Sequence, residues 1–298
     1  MLKKSDSDFE LFQNFRPISN LKVVSKRVEK AVAIQLTDHV MSHHLDETFQ
    51  SAYNNFHSTE TALVRVQNDA LRAIDNNESV LLLLLDLSAD FDKVDHSILL
   101  SRLCDRFGVN GTALAWFESY LTSRKQFVQV NGFRSTQRSL ERGVPQGSVL
   151  GPLLYLLYTS PIADIIEFHK LQYHLYADDT QLYISLKTDC SHDLSLAKHR
   201  VKCCVNDIDC WMVNNGLKLN QDKTELVLIS SKFRSRSSLE FIQVGDEKIQ
   251  PKSSVRNLGV ILDQCLDLTD HVKKICVSCH YHLRNIAKIR RYLSEETS

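Results

Sequence analysis

The chain has 298 residues, 43% of them apolar, and its 36 basic and 36 acidic residues cancel. This is enough apolar material for one or two domains with a sizeable core. A net charge of zero excludes any function argued from bulk charge alone, whether adsorption to polyanions or to membrane surfaces. The eight cysteines are irregularly spaced, with no signal peptide ahead of them, which points to free thiols in a reducing compartment. The longest apolar runs, 81–85 and about 149–158, fall short of the roughly 20 residues that span a bilayer. The expectation is an intracellular protein, cytoplasmic or nuclear, without membrane attachment.

Ser58 is placed to cap a helix running to about Asn76, with Leu63, Val66, Ala70 and Ile74 on one face. Val80–Leu85 has no polar alternation and reads as a strand buried on both faces, stopping abruptly at Asp86. A helix follows from about Asp95 to Gly108. Phe127–Val130 and Asn131-Gly132 predict a hairpin. A loop rich in glycine and proline leads into an apolar helix over Pro152–Thr159. Leu171, Tyr173 and Leu175, then Thr180, Leu182 and Ile184, alternate as two half-buried strands around Asp178-Asp179. The pattern next predicts a helix from Ser191 to Asn214, stopped by Gly216, and a strand over Leu226–Ile229. Residues 230–238 are a polar, basic loop. Short strands over Phe241–Val244, Lys248–Gln250 and Val255–Leu262 precede a basic helix from Leu268 to Tyr292. Strands and helices mix without strict alternation, so the fold class is α+β.

Basic residues gather near the start (Lys22, Lys26, Arg27, Lys30) and near the end, whereas Asp86, Asp90, Asp92 and Asp95 cluster between them. Asp178-Asp179 lies in a turn without the Asn-Gly or Asp-Gly chemistry of an inexpensive hairpin. Carboxylates gathered at strand ends raise one another's pKa unless a cation neutralises them. A hard divalent ion does this best, and Mg²⁺ takes one or two carboxylates plus substrate phosphates. Between the acidic elements runs Gly143-Val144-Pro145-Gln146-Gly147-Ser148-Val149-Leu150-Gly151-Pro152. Its glycines allow a backbone to approach a ligand, and Gln146 can hydrogen-bond a base or sugar. Cys276-Val277-Ser278-Cys279-His280 fits the spacing of haem attachment but stands without any other haem feature, and we read its cysteines as helix thiols. Cys203, Cys204 and Cys210 lack a partner pair at zinc-ligand spacing.

The order LLLLLDLSADFDKVDH (81–96), GVPQGSVLGP (143–152), YADD (176–179), GLKLNQDKTE (216–225) and VRNLGV (255–260), preceded by NFRPISNL (14–21) and HSTETAL (57–63), resembles the successive motifs of reverse transcriptases. The whole set is similar to the polymerase of non-LTR, LINE-type retrotransposons. The resemblance implies a right-hand fold with a mainly antiparallel palm sheet flanked by helices. Fingers would take residues 1–78. The palm would take 79–230, with a further finger part at about 108–145. A β segment at 231–264 would close the palm, and 265–298 would begin a thumb that is cut short. It also implies RNA-directed addition of dNTPs to a primer 3′-hydroxyl by two-metal chemistry, with RNA template and DNA primer as partners. Asp86 and Asp178 match the metal-bridging aspartates, Asp179 is a more peripheral third, and Leu87 would lend a carbonyl. Two Mg²⁺ ions are implied, with Mn²⁺ as a substitute.

Phe91 stands where the family has an aromatic gate against the 2′-hydroxyl of ribonucleotides. Gln146 and Gly147 would line the nucleotide pocket, Arg16 would touch phosphate, and Lys223 would protonate the departing pyrophosphate. Lys273, Lys274, Arg284, Lys288, Arg290 and Arg291 would track the duplex backbone. The sequence also departs from the family pattern. Asn54 and Asn55 stand near where the finger motif carries a cation, and Asp90 where a small residue is common. The chain would be a fragment or a decayed element copy. The alternative is an impaired remnant that only binds nucleic acid.

Overall fold

The computed structural model describes residues 11, 18–87, 91–130, 132–233, 239–245 and 247–290. Two helices lead, α1 (Val23–Ser42) and α2 (Thr59–Asp75). The second opens on a capping box in which Ser58 and Thr61 satisfy each other's backbone N–H groups. β1 (Ser79–Leu87) ends at a break in the described chain. A short 3₁₀ turn at Phe91–Lys93 and α3 (His96–Asp105) follow. The Asp95 carboxylate accepts from the N–H groups of Ser97 and Ile98 at 3.0 and 3.3 Å and so starts α3. α4 (Gly111–Leu121) leads to a two-tier ribbon. In it β2 (Lys125–Gln126) pairs with β5 (Arg138–Ser139), and β3 (Gln129–Val130) with β4 (Phe133–Arg134). After α5 (Gly151–Thr159) and α6 (Pro161–Phe168) come β6 (Gln172–Tyr176), β7 (Asp179–Leu186), α7 (Ser191–Asn214) and β8 (Leu219–Ile229). Two hairpins, β9 (Ile242–Val244) with β10 (Glu247–Ile249) and β11 (Ser254–Asn257) with β12 (Val260–Asp263), precede α8 (Thr269–Ile289).

The centre is a four-stranded antiparallel sheet in the order β6-β7-β1-β8. Leu81, Leu83, Leu85 and Leu87 face a large core shared with α1 and α3–α7. Val80 and Leu82 face a second core, built from Val66, Ala70 and Ala73 of α2 with Val255 and Leu262 of the last hairpin. β1 is thus an interior strand with both faces covered, which is why its leucines run without polar interruption. Each fully buried leucine contributes about 1.5–3 kcal/mol of transfer free energy.

The same covering overturns one expectation. β7 does not alternate: Thr180, Gln181, Leu182 and Tyr183 are all buried, because α2 covers Tyr183 and Asn257 of the β11–β12 hairpin covers Gln181 on the face that the pattern left to solvent. Val255–Leu262 is two strands rather than one, folded back at Leu258-Gly259, both at positive φ. β8 starts seven residues earlier than its apolar stretch, at Leu219 instead of Leu226. The last helix, α8, buries none of its residues. Among the described residues no helix is long and apolar enough to cross a membrane. The eight cysteines are free thiols, with Cys276 and Cys279 exposed on α8.

Candidate active site

The carboxylates meet at one end of the central sheet. Asp86 on β1 and Asp179 on β7 are direct cross-strand partners. Residues opposite each other in an antiparallel pair project to the same face at about 4.5–5.5 Å between Cα atoms. The Leu87 N–H donates to the Asp178 carbonyl at 3.3 Å, so the tip of β1 is fastened to the turn itself. That turn has two central residues, Ala177 and Asp178. Ala177 holds φ at 56°, a first turn position where glycine is the low-cost choice. The left-handed conformation costs an alanine about 1–2 kcal/mol. The surrounding structure offsets it: the Gln50 side-chain oxygen accepts from the Ala177 N–H at 3.1 Å.

Lys223 reaches the same place from β8. Between Leu84 and Asp86 the partner residue on β8 moves from Glu225 to Asn220, so β8 carries an outward bulge there. The bulge is closed by the Thr224 hydroxyl, which donates to the Asn220 carbonyl at 3.2 Å. Lys223 rides on it with its ammonium 2.8 Å from Asp86 Oδ2. The polar stretch 219–225 belongs to the strand for this reason. It serves the carboxylates instead of the core, and an apolar pattern cannot reveal it.

One ammonium faces three carboxylates, and the imbalance is visible in Asp179. Its carboxyl is pushed up to about 6, by lost hydration first and then by the charges of Asp178 and Asp86, with Lys223 opposing. The side chain keeps an open path to solvent, which limits the hydration it loses. The Tyr53 phenol is likewise raised, by burial and then by the charge of Asp178, which sets this ring beside the turn. Among the described residues no group of three His, Cys, Asp or Glu side chains is closed tightly enough to hold a metal ion as it stands. Mg²⁺ does not need such a cage, since it takes one or two carboxylates and completes its shell with water and substrate phosphate. An all-oxygen donor set with excess negative charge, part of it already answered by an ammonium on Asp86, fits a hard divalent cation.

The glycine loop is positioned from below. The Gly143 and Val144 N–H groups donate to the Val94 and Phe91 carbonyls at 2.7 and 2.8 Å, and His96 Nε2 donates to the Gly143 carbonyl at 2.8 Å. A Cβ on Gly143 would lie 2.7 Å from the Asp92 Cα, so this close approach requires glycine. The loop therefore runs alongside Phe91, whose half-buried ring packs on Tyr155 with 4.9 Å between centroids. Gln146 is half-buried with its carbonyl accepting from the Ser19 N–H at 2.9 Å, and Gly147 is exposed.

Three residues of the site escaped sequence reasoning. Glu29 on α1 is 1% exposed, and its carboxylate accepts from the Val149 N–H at 2.7 Å and the Leu150 N–H at 3.5 Å, just before α5. Its signal was present: Glu29, Ala33, Leu36 and Val40 fall on one helical stripe, and a glutamate there has to find donors. Gln50 and Tyr53 carry no comparable pattern. Asn54, where the family pattern has a cation nearby, donates through its Nδ2 to the Gln50 carbonyl at 2.6 Å and so braces this segment. Lys273, Lys274, Arg284 and Lys288 along α8, and Arg290 at its C-cap, are exposed on a separate element from the carboxylates. Arg16, Asp90 and Arg291 lie outside the described residues.

An antiparallel sheet backed by helices, with aspartates at the tips of two neighbouring strands, is the palm arrangement of a right-hand polymerase. The chain belongs to the reverse transcriptase (RNA-dependent DNA polymerase) family, whose profile matches residues 2–262. It is 28% identical over 291 residues to the probable RNA-directed DNA polymerase from transposon BS of Drosophila melanogaster, covering 96% of this chain and 31% of that protein. It is 27% identical over 268 residues to the RNA-directed DNA polymerase from mobile element jockey of the same species, covering 88% of this chain and 28% of that protein. The chain thus spans less than a third of the curated relatives it matches. In fold it is similar to apo telomerase from Candida tropicalis, with a TM-score of 0.55, 13% identity and coverage of 80% of this chain and 40% of that one. The telomerase of Candida albicans in complex with a fragment of telomeric RNA gives a TM-score of 0.53 at 13% identity, covering 84% and 39%.

Proposed function

We propose that this chain carries the nucleotidyl-transfer centre of an RNA-directed DNA polymerase, adding dNTPs to the 3′-hydroxyl of a DNA primer on an RNA template. The observation that carries the reading is the cross-strand pairing of Asp86 with Asp179 beside the Asp178 turn. Asp86, Asp178, Asp179 and the Leu87 carbonyl would hold divalent cations, two Mg²⁺ or Mn²⁺ in the family reading, which supply activation of the attacking oxygen and charge neutralisation at the phosphates. The chain's own residues do the rest. The 3′-hydroxyl gives up its proton to water, and its oxygen bonds to the α-phosphorus as the bond to pyrophosphate breaks. In this reading the sheet end sets where that exchange happens, because Asp86 and Asp179 sit on paired strands and Asp178 in the tight turn between β6 and β7.

Lys223, held at Asp86 and largely exposed, is the proposed proton donor to the departing pyrophosphate. Gln146 and Gly147 line the nucleotide pocket, with the loop backbone able to approach the ligand at Gly147. Arg16 and the cations of α8 are assigned to phosphate contacts, which position a duplex without reading its sequence. The test is extension of a DNA primer annealed to RNA, with and without a chelator. Cation-dependent extension is the expected result. Retention of the hybrid with no extension at any cation concentration would favour the remnant that only binds.

Phe91 is assigned as the sugar gate, supported by its place between the end of β1 and the glycine loop. Phe91→Val should raise the use of ribonucleotides relative to deoxyribonucleotides by about ten- to a hundred-fold, the scale on which a reshaped apolar pocket discriminates. Competing rNTP and dNTP incorporation measures this ratio. An unchanged ratio would reduce Phe91 to a core aromatic.

A further inference from the structure

Gln50 is remote in sequence from every carboxylate of the site, yet it holds the turn that carries two of them. The residue is 7% exposed, and its Oε1 accepts from two backbone donors, the Ala52 N–H at 2.9 Å and the Ala177 N–H at 3.1 Å. Both partners are N–H groups, so the chemistry fixes which end of the amide faces the turn. The surrounding backbone docks on the edge of β6 as a minimal strand, a single parallel bridge between Gln50 and Leu175. The Leu175 N–H donates to the Phe49 carbonyl at 2.8 Å, and the Ser51 N–H to the Leu175 carbonyl at 3.0 Å. The Ser51 hydroxyl and His174 Nε2 meet at 2.8 Å, which anchors the strand further. Asn54 then ties back onto Gln50, its Nδ2 donating to the Gln50 carbonyl.

We propose that Gln50 is a positioning residue for the Asp178-Asp179 pair. Ala177 is held in a left-handed conformation that alanine does not favour, and its N–H is the group Gln50 binds. Without that acceptor the half-buried Ala177 N–H loses its protein partner, and the turn relaxes toward a conformation alanine prefers. The two carboxylates follow the turn, because Asp178 is its second central residue and Asp179 the first of β7. The edge strand therefore sets the spacing between the doublet and Asp86. Its catalytic consequence rests on the polymerase reading, but the clamp itself does not.

Two variants separate the acceptor from simple packing. Gln50→Leu fills the space without an acceptor, and Gln50→Glu keeps oxygens facing both N–H groups. Amide hydrogen exchange of the cation-free chain reads the clamp directly: Ala177 should exchange about tenfold faster in Gln50→Leu and near the natural rate in Gln50→Glu. Free Mn²⁺, titrated by its paramagnetic resonance, should bind several-fold more weakly to Gln50→Leu. In primer extension that variant should lose about ten- to a hundred-fold in kcat, with KM for dNTP within about twofold, as expected for misplaced reacting groups. Unchanged Ala177 exchange in Gln50→Leu, equal damage in Gln50→Glu, or faster exchange with unaltered Mn²⁺ affinity would each overturn the proposal. A natural chain that never extends a primer would sink the polymerase reading instead, with the exchange and Mn²⁺ arms still deciding the clamp.

Discussion

Asp179→Asn is expected to fold and to lose primer extension by on the order of 10³-fold, more than any other change considered for this site. Asn preserves the shape of Asp179 and its place opposite Asp86, but removes the charge that a divalent cation would use. The pH dependence gives the claim a second readout. With its carboxyl raised to about 6 in the cation-free chain, Asp179 carries a proton below that value that a cation has to displace, so Mn²⁺ affinity should fall as the pH drops through about 6. The stability of the cation-free protein runs the other way. An unfolded aspartate titrates near 3.9, so the folded chain holds this proton between about pH 4 and 6, where the unfolded chain has released it. Stability contributed by this group is therefore present at low pH and is lost as the pH rises through that window. Asp179→Asn lacks this loss, so with chelator present it should melt above the natural chain at pH 8 and about level with it at pH 3.5. Extension within tenfold of the natural rate, or a melting difference that does not change with pH, would mean that Asp179 is an ordinary surface aspartate.

Much of the frame was legible, and the reason differs from element to element. β1 announced itself because an interior strand has no solvent face to mark with polar residues, and five consecutive leucines leave few alternatives. The start of α2 at Ser58 and the extent of α7 from Ser191 to Asn214 were readable because caps and stops are local chemistry. The carboxylate doublet was readable because its turn used residues that make a poor hairpin.

What could not be read depends on contacts between distant segments. Whether β7 is half or fully buried depends on α2 lying across it, and α2 is more than a hundred residues away. The bulge that delivers Lys223 lies where β8 passes an acidic strand end, a pairing that hydrophobicity does not register. Gln50 looks like any polar residue near a turn until β6 is beside it. The pattern is consistent: residues whose function is to hold backbone in place are specified by their partners, and the partners are fixed only by the fold.

Glu29 is the sharpest case, and its removal should be the most damaging change outside the carboxylates. The residue is 1% exposed, and its Oε2 takes the N–H groups of Val149 and Leu150 while Ser25 donates to Oε1 at 3.1 Å. These donors come just before the first turn of α5, so the carboxylate satisfies helix-start N–H groups and sits at the favourable end of the helix dipole. Glu29→Ala leaves them unpaired around a small void and should cost about 3 kcal/mol, a sum of orphaned donors and lost contacts. Glu29→Leu refills the void yet still orphans the donors, so it should recover only a minor part. Glu29→Gln keeps one acceptor oxygen and should recover most of the loss. The consequence reaches the nucleotide pocket, because the Val149 end of the tether lies two residues from Gly147. Both damaging variants should raise KM for dNTP while leaving the exchange rate of the Ala177 amide untouched, since the Gln50 clamp acts through a separate set of hydrogen bonds. Thermal melts of the three variants, with KM for the two that orphan the donors, test this. A Glu29→Leu variant as stable as the natural chain would show that the buried carboxylate was a cost, with no stabilising role as a tether between α1 and the glycine loop.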